Sequence, residues 1–232
     1  MKTLIALINC QARPQYADAQ RDTWIPKLPA GLDYRFFLGQ ASREPKVDEV
    51  FLSCDDSYRG LPNKVQETVR WALSYGYDYI LKIDDDVVLK PTAFAASGYS
   101  NYDFSGHTNE DRQAVVAPWG FCYVLSRRAM EKVAQATLPP NNNDEVWVAN
   151  TLAQHGITLH NENRYHLHRG HRQDFTQRTI RPLRAPRRDR PMDEVTPQNG
   201  IAYCVFLHWN GYHATPDEVN IKEYYRLFKE TQ

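Results

Sequence analysis

Cysteine is scarce in this chain and follows no pattern. Cys10, Cys54, Cys122 and Cys204 stand far apart, mostly inside apolar runs, and no two form a CxxC pair. Such spacing reads as buried free thiols in a reducing compartment, a disulfide pair being the alternative, and makes the cytoplasm the expected location. Long hydrophobic runs are missing too. The run at Thr3–Ile8 is shorter than a signal-peptide core, and Asn9, Gln11 and Arg13 follow it without a small-residue cleavage site. It is far too short to cross a bilayer, and reads as the first buried strand of a soluble protein. Nor does one sign of charge dominate: 28 Lys and Arg face 28 Asp and Glu. That balance argues against a simple polycation for nucleic acid.

The balance conceals an asymmetry. Between Arg164 and Arg190 there are nine arginines, no lysine, and only Asp174 and Asp189 as acids, a local excess of +7. The remainder of the chain is acidic by the same amount. Two readings stand side by side. One is a solvated loop bridged to the acidic remainder; the other is a contact for an anionic acceptor, with nucleic acid a less favoured partner. Elsewhere the chain shows no internal repeat and no low-complexity tract.

What is present suits a packed domain. The chain has 232 residues, 42% hydrophobic and 12% aromatic. This predicts one domain over 1–232, with the arginine-rich stretch at about 161–198 as an insert or loop. Strand-like runs at Thr3–Ile8, 34–38, 50–52 and 79–83 alternate with helical patterns. Val65, Val69, Ala72 and Leu73 recur at helical spacing, and Gly76 closes that helix. Strand, helix and strand in succession predict an α/β fold whose mostly parallel sheet is flanked by helices. Further on, a strand at 114–125 is expected to be interrupted at Pro118-Trp119-Gly120. A helix at 127–136 follows, then a break at Pro139-Pro140 and a helix from Asp144. A strand at 201–207 precedes a last helix, which Thr215, Pro216 and Glu218 mark as capped.

The chemistry gathers at three places. Asp84-Asp85-Asp86 lies between strand-forming apolar residues, where like charges are costly unless a cation compensates them. On an extended chain Asp84 and Asp86 share a side and Asp85 points away. Two convergent carboxylates suit a hard divalent cation, Mn²⁺ or Mg²⁺, with open positions for phosphate oxygens; an exposed acidic loop is the alternative. His208, at the end of the last apolar strand, is a candidate third ligand, ahead of His166, His168 and His171. Asp144 and Glu145 open a helix, where the dipole favours their ionised form. Either could serve as a general base.

In order along the chain stand Arg21-Asp22-Thr23-Trp24, then Asp56, Tyr58, Leu61 and Lys64, then Lys82-Ile83-Asp84-Asp85-Asp86-Val87. Tyr123-Val124-Leu125-Ser126, Asp144-Glu145-Val146-Trp147-Val148, and His208 with Pro216 and Glu218 follow. Together they resemble the β-1,3-galactosyltransferase and N-acetylglucosaminyltransferase family, which includes the Fringe enzymes. The resemblance implies a GT-A fold, a UDP-linked sugar donor, an acceptor hydroxyl on a glycan or other molecule, and inversion at the anomeric carbon. It implies a divalent metal on Asp84, Asp86 and His208. Nucleotide holding falls to Arg21, Asp56, Lys64, Asp84 and Asp85. The family's catalytic aspartate aligns with Glu145, so either Glu145 or its neighbour Asp144 is the expected base. The bare residues also allow a metal-dependent phosphohydrolase, or a non-catalytic nucleotide- or nucleic-acid-binding module using the arginine stretch.

Overall fold

The computed structural model describes residues 1–108, 116–167, 200–204 and 222. Strand β1 (Thr3–Ile8) is buried at every position, as a strand with neighbours on both edges and both faces must be. It pairs in parallel with β2 (Leu32–Leu38) on one side and β4 (Tyr79–Asp84) on the other. Beyond β2 lies β3 (Glu49–Phe51), also parallel. Beyond β4 come β7 (Pro118–Ser126) and then β6 (Phe104–Thr108), both antiparallel to their inner neighbour, and β8 (His160–Asn161), parallel to β6. The order is β3-β2-β1-β4-β7-β6-β8. A smaller sheet joins β5 (Val87–Leu89), β10 (Ala202–Cys204) and β9 (Tyr165–Leu167), with β10 in the middle.

Alternation along the strands divides the core. Ile5 and Leu7 of β1, with Leu81 and Ile83 of β4, join one cluster with Tyr16 and Ala19 of helix α1 (Pro14–Asp22) and with Trp24. Leu4, Ala6 and Ile8 join the other. There they meet Val65, Val69 and Ala72 of α2 (Leu61–Ser74), Met130 and Val133 of α4 (Arg127–Gln135), and Val148 and Leu152 of α5 (Asp144–Gln154). A short α3 (Pro91–Ala95) follows β5. The sheet is thus mixed, mostly parallel and covered by helices, as expected.

Several expectations are refined. The helix over α2 ends as its spacing predicts, with Gly76 at φ +76°, a conformation that costs glycine little. Pro118 does not interrupt a strand. It begins β7, where its missing N–H deprives the ladder least. The apolar run after the aspartates is a separate strand, β5, in the second sheet. Within the arginine-rich stretch, Tyr165–Leu167 forms β9, and Arg164 pairs with Glu162 at 2.6 Å; residues 168–199 lie outside the described residues. So do 205–207 and the expected final helix, apart from Lys222. Among the described residues Cys10, Cys54 and Cys122 are free thiols, and no helix is long and apolar enough to cross a membrane.

Candidate active site

The strand order reverses between β1 and β4, the place where an open α/β sheet forms a crevice. From β1 the chain lays β2 and β3 to one side, then returns through α2 to place β4 on β1's other edge. Open α/β sheets take ligands at such a switch point, outside the carboxyl ends of the strands. Here those ends are Ile8 and Asp84, paired across the sheet.

On the β1 side the crevice is organised by Asp56. One of its oxygens accepts from the Gln11 amide at 2.7 Å, the other from the Gly39 amide at 2.5 Å and from Lys64 Nζ at 2.7 Å. Lys64 is itself buried and donates again to the Asn9 carbonyl at 2.8 Å. The pair predicted as nucleotide-holding therefore locks the loops after β1 and β2 to the start of α2.

On the β4 side the organiser is Lys82, fully buried inside the strand. Its ammonium donates to Asp84 Oδ1 at 2.6 Å and lies 3.6 Å from Asp144 Oδ2. Burial works against that charge, but Asp144 and Asp84 outweigh it and push the lysine above its ordinary value. Asp144, the first residue of α5, is 1% exposed and accepts from Tyr123 Oη at 3.0 Å. Burial pushes its carboxyl up to about 7, because Lys82 is shared with Asp84, and Glu145 and Asp84 add negative charge nearby. Glu145 is only half-buried. Its carboxylate lies over the backbone of Gly120: a Cβ there would stand 3.1 Å from Glu145 Oε2.

The aspartate triplet divides differently from the extended-chain expectation. β4 ends at Asp84 and residues 85–86 form a turn, so strict alternation stops there. Asp84 belongs with Lys82. Asp85 and Asp86 are both buried, and Asp85 Oδ1 meets Arg13 Nη2 at 3.1 Å. Burial opposes the charge on Arg13; Asp85 foremost, then the Cys10 side chain, and Asp86 least, more than restore it.

Arg21 is engaged elsewhere. Its guanidinium holds Asp48 with two bonds of 2.8 Å, Asp18 at 2.8 Å and Glu49 at 3.2 Å, and lies over the Phe36 ring. The structure thus brings Lys82, Asp84, Asp144 and Glu145 together, and Asp56 with Lys64. Arg21 joins neither group through these contacts. Sequence reasoning gave no role to Lys82, Arg13 or Tyr123. Lys82 stands in the quoted Lys82-Ile83-Asp84-Asp85-Asp86-Val87 motif, and a lysine amid apolar strand residues, two positions before an aspartate, is the physical signal of its role.

Asp84 and Asp86 are oxygen donors of the kind Mn²⁺ or Mg²⁺ takes. Among the described residues no three His, Cys, Asp or Glu side chains gather as they would around a metal, and His208 lies outside them.

The model of the galactosyltransferase family matches residues 17–118. That span holds Arg21, Asp56, Lys64 and the aspartate triplet; Asp144 and Glu145 lie beyond it. No curated protein matches the chain. Among solved structures, the apo-form glycosyltransferase GlyE of Streptococcus pneumoniae TIGR4 superposes with a TM-score of 0.53 at 9% identity, covering 100% of this chain and 63% of its own. At that identity it speaks for the fold, and it bears out the GT-A architecture. A structure from Desulfovibrio desulfuricans G20, described as a nucleotide-diphospho-sugar transferase, aligns at 10% identity over 70% of this chain and 80% of its own, with a TM-score of 0.46.

Proposed function

We propose that this chain, a glycosyltransferase with the galactosyltransferase pattern over residues 17–118, moves a sugar from a UDP-linked donor to an acceptor hydroxyl. Transfer proceeds with inversion at the anomeric carbon and in a β-1,3-like linkage. The observation that supports this reading is the pairing of two unlike carboxylates at the start of α5. Asp144 is shielded and pinned by Tyr123 and Lys82, whereas Glu145 is half-open above Gly120.

The division of labour follows from exposure. A base must reach the hydroxyl it deprotonates. Glu145 can; Asp144 cannot without breaking its contacts. Glu145 accepts the acceptor's proton as that oxygen attacks the anomeric carbon from the face opposite the departing diphosphate. Asp144 and Lys82 hold the first turn of α5 against the end of β4, which fixes where Glu145 stands. Asp56 and Lys64 shape the nucleotide side by tying the loops after β1 and β2 together. Asp84, Asp86 and His208 are the residues that would hold Mn²⁺ or Mg²⁺. Such an ion, when bound, supplies Lewis-acid neutralisation of the charge on the leaving diphosphate. A glycan is the natural acceptor, and an anionic one would suit the arginine-rich stretch.

Glu145→Gln tests the assignment. Losing a positioned base costs about 10²–10⁴-fold in turnover, with UDP affinity by calorimetry unchanged. Near-normal turnover in Glu145→Gln, together with loss in Asp144→Asn, would move the role to Asp144.

A further inference from the structure

One ion pair spans the switch point itself. Arg13 follows the end of β1 by five residues, and Asp85 follows the last residue of β4 by one. Their 3.1 Å contact therefore ties together the two loops that wall the crevice. The partners are unequal. Asp85 keeps 3% of its side chain exposed and Arg13 38%, so the carboxylate is sealed inside while the arginine stays open to solvent. Arg13 is steadied from below, its guanidinium carbon 4.9 Å from the Tyr16 ring centroid. Its backbone is held as well, donating to the Cys10 carbonyl at 3.2 Å and accepting from the Tyr16 amide at 3.2 Å.

A guanidinium carries five N–H donors in a rigid fork suited to phosphate oxygens, and one buried carboxylate oxygen together with the Cys10 side chain occupies only part of it. Orienting an arginine through a buried acid removes most of the entropy that a surface arginine would lose on gripping a ligand. Resting on the donor reading above, we infer that Arg13 contacts the diphosphate of the nucleotide donor, with Asp85 as its positioning residue. This gives Asp85 an indirect part in nucleotide binding and places the phosphate contact at a residue outside the span matched by the galactosyltransferase pattern. Arg21, saturated by Asp18, Asp48 and Glu49, does not take that part.

The test compares UDP with uridine by calorimetry in Mn²⁺ buffer. The wild-type chain binds UDP more tightly than uridine. Arg13→Ala weakens UDP by about 10- to 100-fold, the range for losing a hydrogen bond to a charged group, and changes uridine less than twofold. If leaving Asp85 unpaired unfolds that variant, Arg13→Ala with Asp85→Asn removes both charges and is read in the same way. Equal weakening of UDP and uridine would mean that Arg13 only shapes the crevice, and overturns the inference, as does UDP affinity that stays put. A wild-type chain that binds no UDP overturns the donor reading, and this inference with it.

Discussion

Lys82→Met is the most searching perturbation of the site. Methionine nearly matches lysine's length and apolar stem, so the change removes a charge and little volume. The lost ammonium is 1% exposed at its side chain, 2.6 Å from Asp84 and 3.6 Å from Asp144, which is 2% exposed. Removing one partner of a buried ion pair costs about 3–5 kcal/mol, because the remaining charge stays buried. For a chain of this size each kcal/mol lowers Tm by about 2–4 °C, so a fall of about 6–20 °C is expected at alkaline pH, where Asp144 is ionised. Thermal unfolding followed by circular dichroism measures it. The defect shrinks as pH falls to neutral, because Asp144, already raised to about 7 beside Lys82, is pushed further up without it and takes up a proton that sheds the uncompensated charge. Adding Asp144→Asn recovers part of the loss at the same alkaline pH. A Tm within about 2 °C of wild type would refute the reasoning: Lys82 would then be holding nothing that methionine cannot.

Four further outcomes follow from the same contacts. The raised carboxyl of Asp144 makes the folded state bind more protons than the unfolded one between about pH 4 and its folded value of about 7. Its contribution to stability is therefore present below pH 4 and lost as pH rises to 7, and Asp144→Asn flattens that part of a urea-denaturation pH profile. Asp56→Ala strands the Gln11 and Gly39 amides and the buried Lys64 ammonium; a loss of about 3–5 kcal/mol is expected in urea titrations. Gly120→Ala pushes a methyl against Glu145 Oε2, so turnover falls about 10–100-fold while Tm stays near wild type. Removing divalent ions with a chelator abolishes transfer, and Mn²⁺ restores it, read as released UDP.

The sequence by itself determined the scaffold. Alternating apolar residues in Thr3–Ile8 and 79–83, and the helical recurrence of Val65, Val69 and Ala72, state locally which face must be buried. Chain order then permits few ways to cover a parallel sheet. The motif residues also marked the neighbourhood of the site, since Asp56, Lys64, Asp84 and Asp144 all reach the carboxyl ends of β1 and β4. Partners were another matter. That Lys82 serves Asp84 and Asp144 together depends on α5 arriving beside β4 from more than fifty residues away, and that Asp85 turns to Arg13 depends on β4 stopping one residue earlier. Local pattern carries the periodicity of a strand, but not where it ends or what approaches it. Those contacts are decided only when distant segments pack, because burial and Coulomb attraction act through space and not along the chain.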